Sequence, residues 1–161
     1  MVLAGWPLAR RKEDSVIVKI KRLTPTAKIP TRGSKEAAGL DLYADGETVV
    51  LYPGETKMIH TGIAMEIKPG VFGAIYPRSG LASKYGLRLA NCVGVIDSDY
   101  RGEIGIPLRN DGGTIKGIKA GERVAQMIIE PYQDAELIEV DELGDTERGA
   151  GGFGSTGMFE G

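Results

Sequence analysis

Three consecutive residues in this sequence, Arg78, Ser79 and Gly80, carry groups that can hold an anion. They lie in the run Pro77-Arg78-Ser79-Gly80-Leu81-Ala82, where a strand-like stretch ends and a short helix is predicted to begin. A helix N-terminus presents free backbone N–H groups and the positive end of its dipole. The Arg78 guanidinium matches phosphate oxygens, and Ser79 adds a hydroxyl. The run therefore predicts a local phosphate site, although an ordinary helix N-cap at Ser79 would explain it as well.

A second segment, from Asn91 to Gly102, has the groups to bind a planar polar ring. It reads Asn-Cys-Val-Gly-Val-Ile-Asp-Ser-Asp-Tyr-Arg-Gly, and Asp97-Ser98-Asp99 predicts a hairpin turn within it. Gly94 would let a ligand approach the backbone closely. The Asn91 amide and neighbouring backbone groups could satisfy the acceptor, donor and acceptor on one edge of uracil, and Tyr100 could lie against a sugar. The alternative is a hairpin whose acidic turn is only solvated.

Two polar residues within strand-like runs are further candidates. Asp41 lies in Ala38-Gly39-Leu40-Asp41-Leu42, and Gln126 lies in Gly121-Glu122-Arg123-Val124-Ala125-Gln126-Met127. In a strand, Asp41 points to the face opposite its two leucines. There it is either a solvent-facing carboxylate or a hard oxygen acceptor near a metal ion or its waters. A buried Gln126 needs partners, which could be an α-phosphate oxygen, a metal-bound water or a group of the core.

The last candidate is a glycine-rich tail from Arg148 to Gly157. It reads Arg-Gly-Ala-Gly-Gly-Phe-Gly-Ser-Thr-Gly, which has little side chain to bury and would cost much backbone entropy to order. We expect it to be mobile until a ligand holds it. Arg148 offers a cation, Phe153 a stacking face, and Ser155 and Thr156 offer hydroxyls. The glycine spacing does not indicate a dinucleotide-binding fold, because no strand closely precedes it and no helix follows.

The composition excludes several other kinds of site. A formal net charge of −2 over 161 residues leaves no basic footprint for nucleic acid. The one cysteine, Cys92, cannot form an internal disulfide, which fits a reducing compartment, and we expect it to be semi-buried. With one histidine, His60, a zinc site built from His and Cys is excluded, and we interpret His60 as structural. No apolar run is long enough for a membrane helix, so we expect no membrane partner and a cytoplasmic protein.

Short β-strands must position these candidates. The 24 glycines and 8 prolines are spread along the chain, and the many short strands that they separate are typical of an all-β sandwich or jelly roll. The strands are predicted at 16–20, 48–51, 63–67, 71–76, 103–108, 124–129 and 136–140. One helical segment is predicted from Leu81 to Tyr85, with Gly86 as its C-cap. We expect a flexible N-terminal extension over 1–15, a β domain over 16–146 and a mobile flap over 147–161.

In this order and spacing, the clusters together resemble the five motifs of the homotrimeric dUTPase family. The resemblance covers Val16 to Gly157, and its most specific parts are Pro77 to Ala82, Gly94 to Gly102 and the tail. It implies a jelly-roll subunit with one short helix and a homotrimer whose three active sites are each assembled from all three chains. It also implies Mg²⁺-dependent hydrolysis of dUTP to dUMP and diphosphate.

The resemblance implies a role for each candidate residue. Asp97 would be the general base for a water attacking the α-phosphorus. The uracil and deoxyribose would be held by Asn91, Gly94, Val95, Ile96, Asp97 and Tyr100, with Tyr100 excluding a ribose 2′-OH. The triphosphate would be held by Arg78, Ser79, Gly80, Gln126, Arg148, Ser155 and Thr156. Phe153, followed by Gly154, would close over the uracil. Mg²⁺ would bind the phosphates directly and would reach Asp41, and also Gln126, through water.

Two departures and three rival readings accompany the resemblance. The N-terminal extension has no counterpart in the family core, and the rival reading as a structural jelly-roll module leaves the tail unexplained. Gly105 stands where relatives often carry a larger side chain, so only its backbone could touch a substrate. A dCTP deaminase would need a catalytic glutamate in the base pocket and a different phosphate loop. A regulatory binding protein on the same scaffold would predict damaged motifs, whereas Asp97, Arg78 and Gln126 are all present.

Overall fold

The computed structural model describes residues 15–152. The predicted N-terminal extension therefore lies outside the described residues except for Ser15, which is exposed. Of the predicted flap, residues 147–152 are described and the remainder lies outside. No helix within the described part of the chain is long and apolar enough to cross a membrane.

The described residues form twelve short strands and one helix, which confirms the predicted all-β class. The strands are β1 (Lys19–Arg22), β2 (Thr31–Arg32), β3 (Leu40–Tyr43), β4 (Val49–Leu51), β5 (Thr56–Ile59), β6 (Ile63–Glu66), β7 (Val71–Tyr76), β8 (Leu87–Leu89), β9 (Gly94–Ile96), β10 (Ile106–Asn110), β11 (Lys116–Ile118) and β12 (Arg123–Pro131). The helix α1 spans Ser79–Tyr85, between β7 and β8.

The strands pair only antiparallel, in four small sheets. The largest has the order β2-β3-β12-β7-β9, and a second has the order β5-β10-β8. Two strand pairs, β1 with β6 and β11 with β4, complete the set. Since neighbours in the sheets are mostly distant in sequence, the loops between strands bring separate motifs to common edges.

One apolar core lies between the sheets. Along β10, buried and half-buried side chains alternate. Ile106 and Leu108 are buried, whereas Pro107 and Arg109 are half-buried. Burying one such aliphatic side chain contributes roughly 1.5–3 kcal/mol. The buried Asn110 continues the alternation, and its amide donates to the carbonyls of Leu51 and Thr114.

The bounds of the predicted strands agree with the structure at some positions and differ at others. The strand at 71–76 is confirmed at both ends. The strands predicted at 48–51 and 63–67 are shorter by one residue, the one at 103–108 is shifted to Ile106–Asn110, and the one at 124–129 extends from Arg123 to Pro131. The strand predicted at 16–20 begins only at Lys19. The prediction of a strand at 136–140 was wrong, because this segment has no partner strand within the described residues and leaves Leu137 and Ile138 exposed at 93% and 75%.

The helix ends as predicted but starts earlier. Gly86 is its C-cap, in the left-handed conformation at φ 66°, and its N–H bonds to the carbonyl oxygens of Ala82 and Leu81. The N-cap is Arg78, without a side-chain cap, and Ser79 is already helical. The reading of Ser79 as an N-cap was therefore wrong, and its hydroxyl makes no bond of that kind.

Candidate active site

The largest group of predicted site residues lines a single cavity of about 420 Å³, here called the base pocket. It lies where β9, the end of β8 and the start of β10 meet, beside the end of β5. Seven predicted residues line it: Asn91, Gly94, Val95, Ile96, Asp97, Tyr100 and Gly105. Apolar walls with a few convergent polar groups are the usual character of a small-molecule site.

The Asp97 segment is a turn, as predicted, but not a hairpin. The Tyr100 N–H bonds to the Asp97 carbonyl at 3.2 Å and closes the turn. However, β9 pairs with β7, whereas β10 pairs with β5 and β8, so the two strands flanking the turn do not pair with each other. The turn therefore projects Asp97 from the edge of the five-stranded sheet, where its exposed side chain faces the base pocket.

Gly94 is required by close packing within the pocket wall. A Cβ at this position would lie 3.2 Å from the Cβ of Ile75 and 3.4 Å from Nδ2 of Asn91. A side chain would press both against their neighbours, so glycine keeps the Asn91 amide close to the β9 backbone. The adjacent Cys92 is exposed and has a φ of 62°, so the expectation of a semi-buried cysteine was wrong.

Gly105 also leaves room for a specific neighbour. A Cβ there would lie 2.6 Å from the sulfur of Met58, which reaches over Gly105 from β5. Both residues line the base pocket. The thioether thus occupies the volume that a larger residue at position 105 would need.

Five other predicted residues line a second, smaller cavity of about 220 Å³, here called the phosphate pocket. They are Asp41, Arg78, Ser79, Gly80 and Gln126. A Cβ at Gly80 would meet nothing within 4 Å, so the backbone of the first turn of α1 opens onto free space. Positive guanidinium groups beside an open backbone can accept a polyphosphate chain.

Asp41 is the electrostatic centre of the phosphate pocket. It is 9% exposed, so the alternative reading of a solvent-facing carboxylate was wrong. Its Oδ1 lies 3.1 Å from Nε of Arg78 and its Oδ2 lies 3.2 Å from Nη1 of Arg123. Arg78 also donates to the carbonyl of Arg123 at 3.2 Å. A buried carboxylate is stable here because two cations surround it.

Gln126 has the partner that its half-buried position demands. Its Nε2 donates to the Pro77 carbonyl at 3.0 Å, directly before Arg78. A Cβ at Gly39 would lie 2.7 Å from Gln126 Oε1 and 3.2 Å from its Cβ. Glycine at 39 therefore gives the Gln126 amide its position in the phosphate pocket.

Arg123 is a pocket residue that sequence reasoning missed. It begins β12, where the register with β3 shifts between Arg123 and Ala125, and its side chain is 48% exposed. A charged residue at the start of an apolar strand gives no signal by itself. Only the pairing of β12 with β3 brings it beside Asp41.

Asp97 and Arg78, one in each pocket, lie beyond opposite ends of β7. Asp97 follows Ile96, which pairs with Gly73 near the start of β7, whereas Arg78 comes two residues after its last residue, Tyr76. At about 3.3 Å per residue along a strand, the two ends are roughly 15–20 Å apart. The backbones of Asp97 and Arg78 are thus separated by most of the length of β7.

The tail is only partly described. Arg148 is exposed, and its Nε donates to the Gly151 carbonyl at 2.9 Å. It lines neither pocket. The predicted site residues Phe153, Gly154, Ser155 and Thr156 lie outside the described residues.

The described residues fit a metal ion that is coordinated mainly by the phosphate oxygens of a bound compound rather than by protein side chains. Between 15 and 152, no three His, Cys, Asp or Glu side chains are grouped to hold an ion. In the phosphate pocket, both Asp41 oxygens already face guanidinium groups. A carboxylate so placed fits contact with Mg²⁺ through water, as is usual when the ion is bound chiefly by phosphate oxygens.

The antiparallel strands, with one short helix among residues 15–152, define an all-β protein of the jelly-roll class. A family model described as dUTPase matches residues 25–157. A deoxyuridine 5'-triphosphate nucleotidohydrolase of Nautilia profundicola is 55% identical over 140 residues, covering 87% of this chain and 98% of the relative. One from Anaeromyxobacter sp. is 48% identical and covers 88% and 98% of the two chains. The chain therefore belongs to the dUTPase family.

Solved structures agree with that assignment. The dUTPase of Staphylococcus bacteriophage 80alpha with dUPNHPP superposes with a TM-score of 0.80 at 34% identity, covering 88% of this chain and 98% of that one. A mutant dUTPase from phage phi11 of S. aureus, described for its coordination of a structural Mg(II) ion, has a TM-score of 0.71 at 31% identity, covering 78% and 97%.

Proposed function

We propose that this protein hydrolyses dUTP to dUMP and diphosphate, which lowers dUTP and supplies dUMP for dTMP synthesis. Membership of the dUTPase family supports the reaction. The observation that carries the site assignment is the grouping of seven expected nucleoside-binding residues in the base pocket and five expected phosphate or metal residues in the phosphate pocket.

In this proposal, Asp97 is the general base. It takes a proton from the water that attacks the α-phosphorus, and the diphosphate leaves in line. Positioned bases of this kind contribute on the order of 10²–10⁴-fold. Asn91 and the β9 backbone hold the uracil edge, and the Tyr100 ring packs on the deoxyribose. The 5-methyl group of thymine would clash with a tight backbone cradle, and cytosine would leave buried groups mispaired.

The phosphate pocket holds the triphosphate through Arg78, Ser79, Gly80 and Gln126. The tail adds Arg148, Ser155 and Thr156, while Phe153 and Gly154 close over the base. Mg²⁺, when bound, neutralises phosphate charge and thereby favours the departure of diphosphate. Asp41, and secondarily Gln126, would face this ion through water.

We further propose that the active site is shared between copies in a homotrimer. The roughly 15–20 Å between the backbones of Asp97 and Arg78 supports this, because a neighbouring chain could bring its own Arg78 closer to Asp97. The exposed arm after β12 supports it too. Leu137, Ile138 and Leu143 are 93%, 75% and 87% exposed in the single chain, and contact with a neighbour would bury them. An arm seated on a neighbour would carry the tail to that neighbour's site.

The remaining proposals concern location and partners. We place the enzyme in the cytoplasm, in keeping with its lone cysteine, Cys92, and we propose neither nucleic acid nor membrane as a partner. We also propose a flexible N-terminal extension over 1–15, a β domain over 16–146 and a mobile flap over 147–161. The paired strands run from Lys19 to Pro131, and the arm from 132 to 146 joins the β domain to the flap.

The direct test combines a substrate panel with one substitution. Incubation with each dNTP and Mg²⁺ should release diphosphate from dUTP and leave dCTP and dTTP nearly intact. Asp97→Asn should fold and bind dUTP but lose most turnover. Asp99→Asn, in the same turn but outside the base pocket, is the matched control. Near-normal kcat in Asp97→Asn would remove Asp97 from its role, and ammonia from dCTP would indicate a deaminase.

A further inference from the structure

The base pocket contains two titratable side chains that the proposed chemistry does not use, His60 and Glu103. His60 Nδ1 lies 2.9 Å from Glu103 Oε2, and the two side chains are 64% and 31% exposed. A ring nitrogen at this distance from a carboxylate is the one that carries the proton and donates it. The pair joins the loop that follows β5 to the loop that precedes β10.

Glu103 is held from two sides. Its other oxygen, Oε1, accepts a hydrogen bond from the Gly62 N–H at 2.8 Å. Burial raises the pKa of Glu103, but the bonds from His60 and from the backbone of residues 61–62 outweigh it and hold the pKa below its ordinary value. The Glu103 carboxylate therefore accepts hydrogen bonds from two fixed donors. Because these bonds hold the side chain in place, they also restrict the backbone of Glu103.

The backbone of Glu103 in turn holds Tyr100. The Tyr100 hydroxyl donates to the Glu103 carbonyl at 2.9 Å. The next residue, Ile104, bonds through its N–H to the Ile63 carbonyl at 2.9 Å, which ties the loop before β10 to the start of β6. Gly102 makes room, since a Cβ there would collide with the Tyr100 ring. The ring of Tyr100 is thus set by a chain of bonds that begins at His60.

We propose that His60 and Glu103 are positioning residues that fix the Tyr100 ring as the sugar wall of the base pocket, and that they thereby determine the preference for deoxyribose over ribose. This inference rests on the proposed sugar contact of Tyr100. A loosened ring can move aside for a 2′-hydroxyl, so the pair should influence the choice between dUTP and UTP more than the hydrolytic step.

The experiment measures kcat and KM for dUTP and UTP in the intact enzyme. His60→Leu and Glu103→Ala should each lower the ratio of kcat/KM for dUTP to that for UTP by about tenfold, the effect of losing roughly one hydrogen bond, and should act on KM more than on kcat. His60→Asn keeps a donor near Nδ1. In Glu103→Gln the amide oxygen still accepts from the Gly62 N–H, and the NH₂ group donates to His60 Nδ1 after a tautomer change of the ring. Both conservative variants should keep the ratio within about threefold.

Two controls separate this inference from the proposed function. Glu66→Gln breaks an exposed ion pair with Lys19, outside the base pocket, and should leave the ratio unchanged. In a double-mutant cycle, the double variant Tyr100→Phe/His60→Leu should lower the ratio of kcat/KM for dUTP to that for UTP no more than the stronger single variant does. The reason is that both substitutions act through one chain of hydrogen bonds. Because the His60 side chain is exposed, variants at His60 should fold even if Glu103→Ala fails to fold. Thermal unfolding of each variant measures whether it is folded.

The outcomes are distinct. If Tyr100→Ala lowers the ratio while folded His60→Leu and Glu103→Ala leave it unchanged, the positioning role is overturned and the sugar contact stands. If Tyr100→Ala also leaves the ratio unchanged while dUTP hydrolysis persists, the sugar contact and this inference both fall. Equal losses for dUTP and UTP in His60→Leu would show a general structural effect and would overturn the inference as well.

Discussion

The substitution Gly39→Ala should damage the phosphate pocket through Gln126. The new Cβ would lie 2.7 Å from Gln126 Oε1 and 3.2 Å from its Cβ. The amide must rotate away, and it then loses both its bond to the Pro77 carbonyl and its proposed contact with the α-phosphate. A hydrogen bond to a charged group is worth about 1.5–3 kcal/mol, so kcat/KM should fall roughly 10- to 100-fold. Stability should change by no more than about 1 kcal/mol, because Gly→Ala also reduces the entropy of the unfolded chain.

Gly33→Ala is the matched control for this prediction. Gly33 lines the same pocket, but a Cβ there would meet only Asp41 Oδ2, at an ordinary 3.8 Å. Steady-state kinetics of diphosphate release and urea unfolding would be measured on both variants. If Gly39→Ala keeps kcat/KM within about twofold of wild type, or if Gly33→Ala loses as much activity as Gly39→Ala, glycine at 39 does not act through the position of Gln126.

Three further predictions follow from the described contacts. The Thr24 hydroxyl donates to the buried Asp45 carboxylate and lowers its pKa from the ordinary 3.8; that stabilisation is present above about pH 4 and is lost as pH falls through the folded pKa. Thr24→Val should therefore destabilise by about 1–3 kcal/mol at pH 7, and urea unfolding should show the difference shrinking towards pH 3. Gly105→Ala should displace the flexible, half-exposed Met58 side chain within the base pocket and raise KM for dUTP by about two- to fivefold, an effect that Met58→Ala in the same chain should partly reverse in initial-rate assays; an unchanged KM would show that this wall of the pocket does not contact the nucleotide. Truncation before Arg148 should leave a folded trimer by light scattering but greatly reduce kcat/KM, and an unchanged kcat/KM would show the tail to be irrelevant.

Local signals in the sequence predicted the elements that local forces determine. The strand Val71–Tyr76 and the end of α1 at Gly86 are confirmed, because an apolar run and a glycine C-cap are readable without tertiary context. The strand predicted at 136–140 failed for the opposite reason. Its apolar residues have the right composition, but a strand needs a partner, and these residues have none within the described part of the chain.

The sequence predicted the residues of the site that lie in distinctive motifs. It did not predict the residues that hold those motif residues in place. Asp97 and Arg78 lie in distinctive local runs. Arg123 joins Asp41 across 82 residues, and Glu103 joins His60 across 43. Such contacts arise from strand pairing, which no single stretch of sequence reveals. The reading of His60 as merely structural overlooked that pairing, because it considered only the neighbours in sequence.

The most direct test of the shared site is complementation between two inactive variants. If Asp97 of one chain acts with Arg78 of a neighbour, each mixed trimer of Asp97→Asn and Arg78→Gln chains contains one site with both native residues. Unfolding and refolding the two variants together at equal amounts should then restore about one quarter of wild-type activity, since about three quarters of the trimers are mixed and one site in three is intact. Activity no greater than the sum of the separate variants, in trimers shown to be mixed, would mean that both residues act within one chain and would contradict the account.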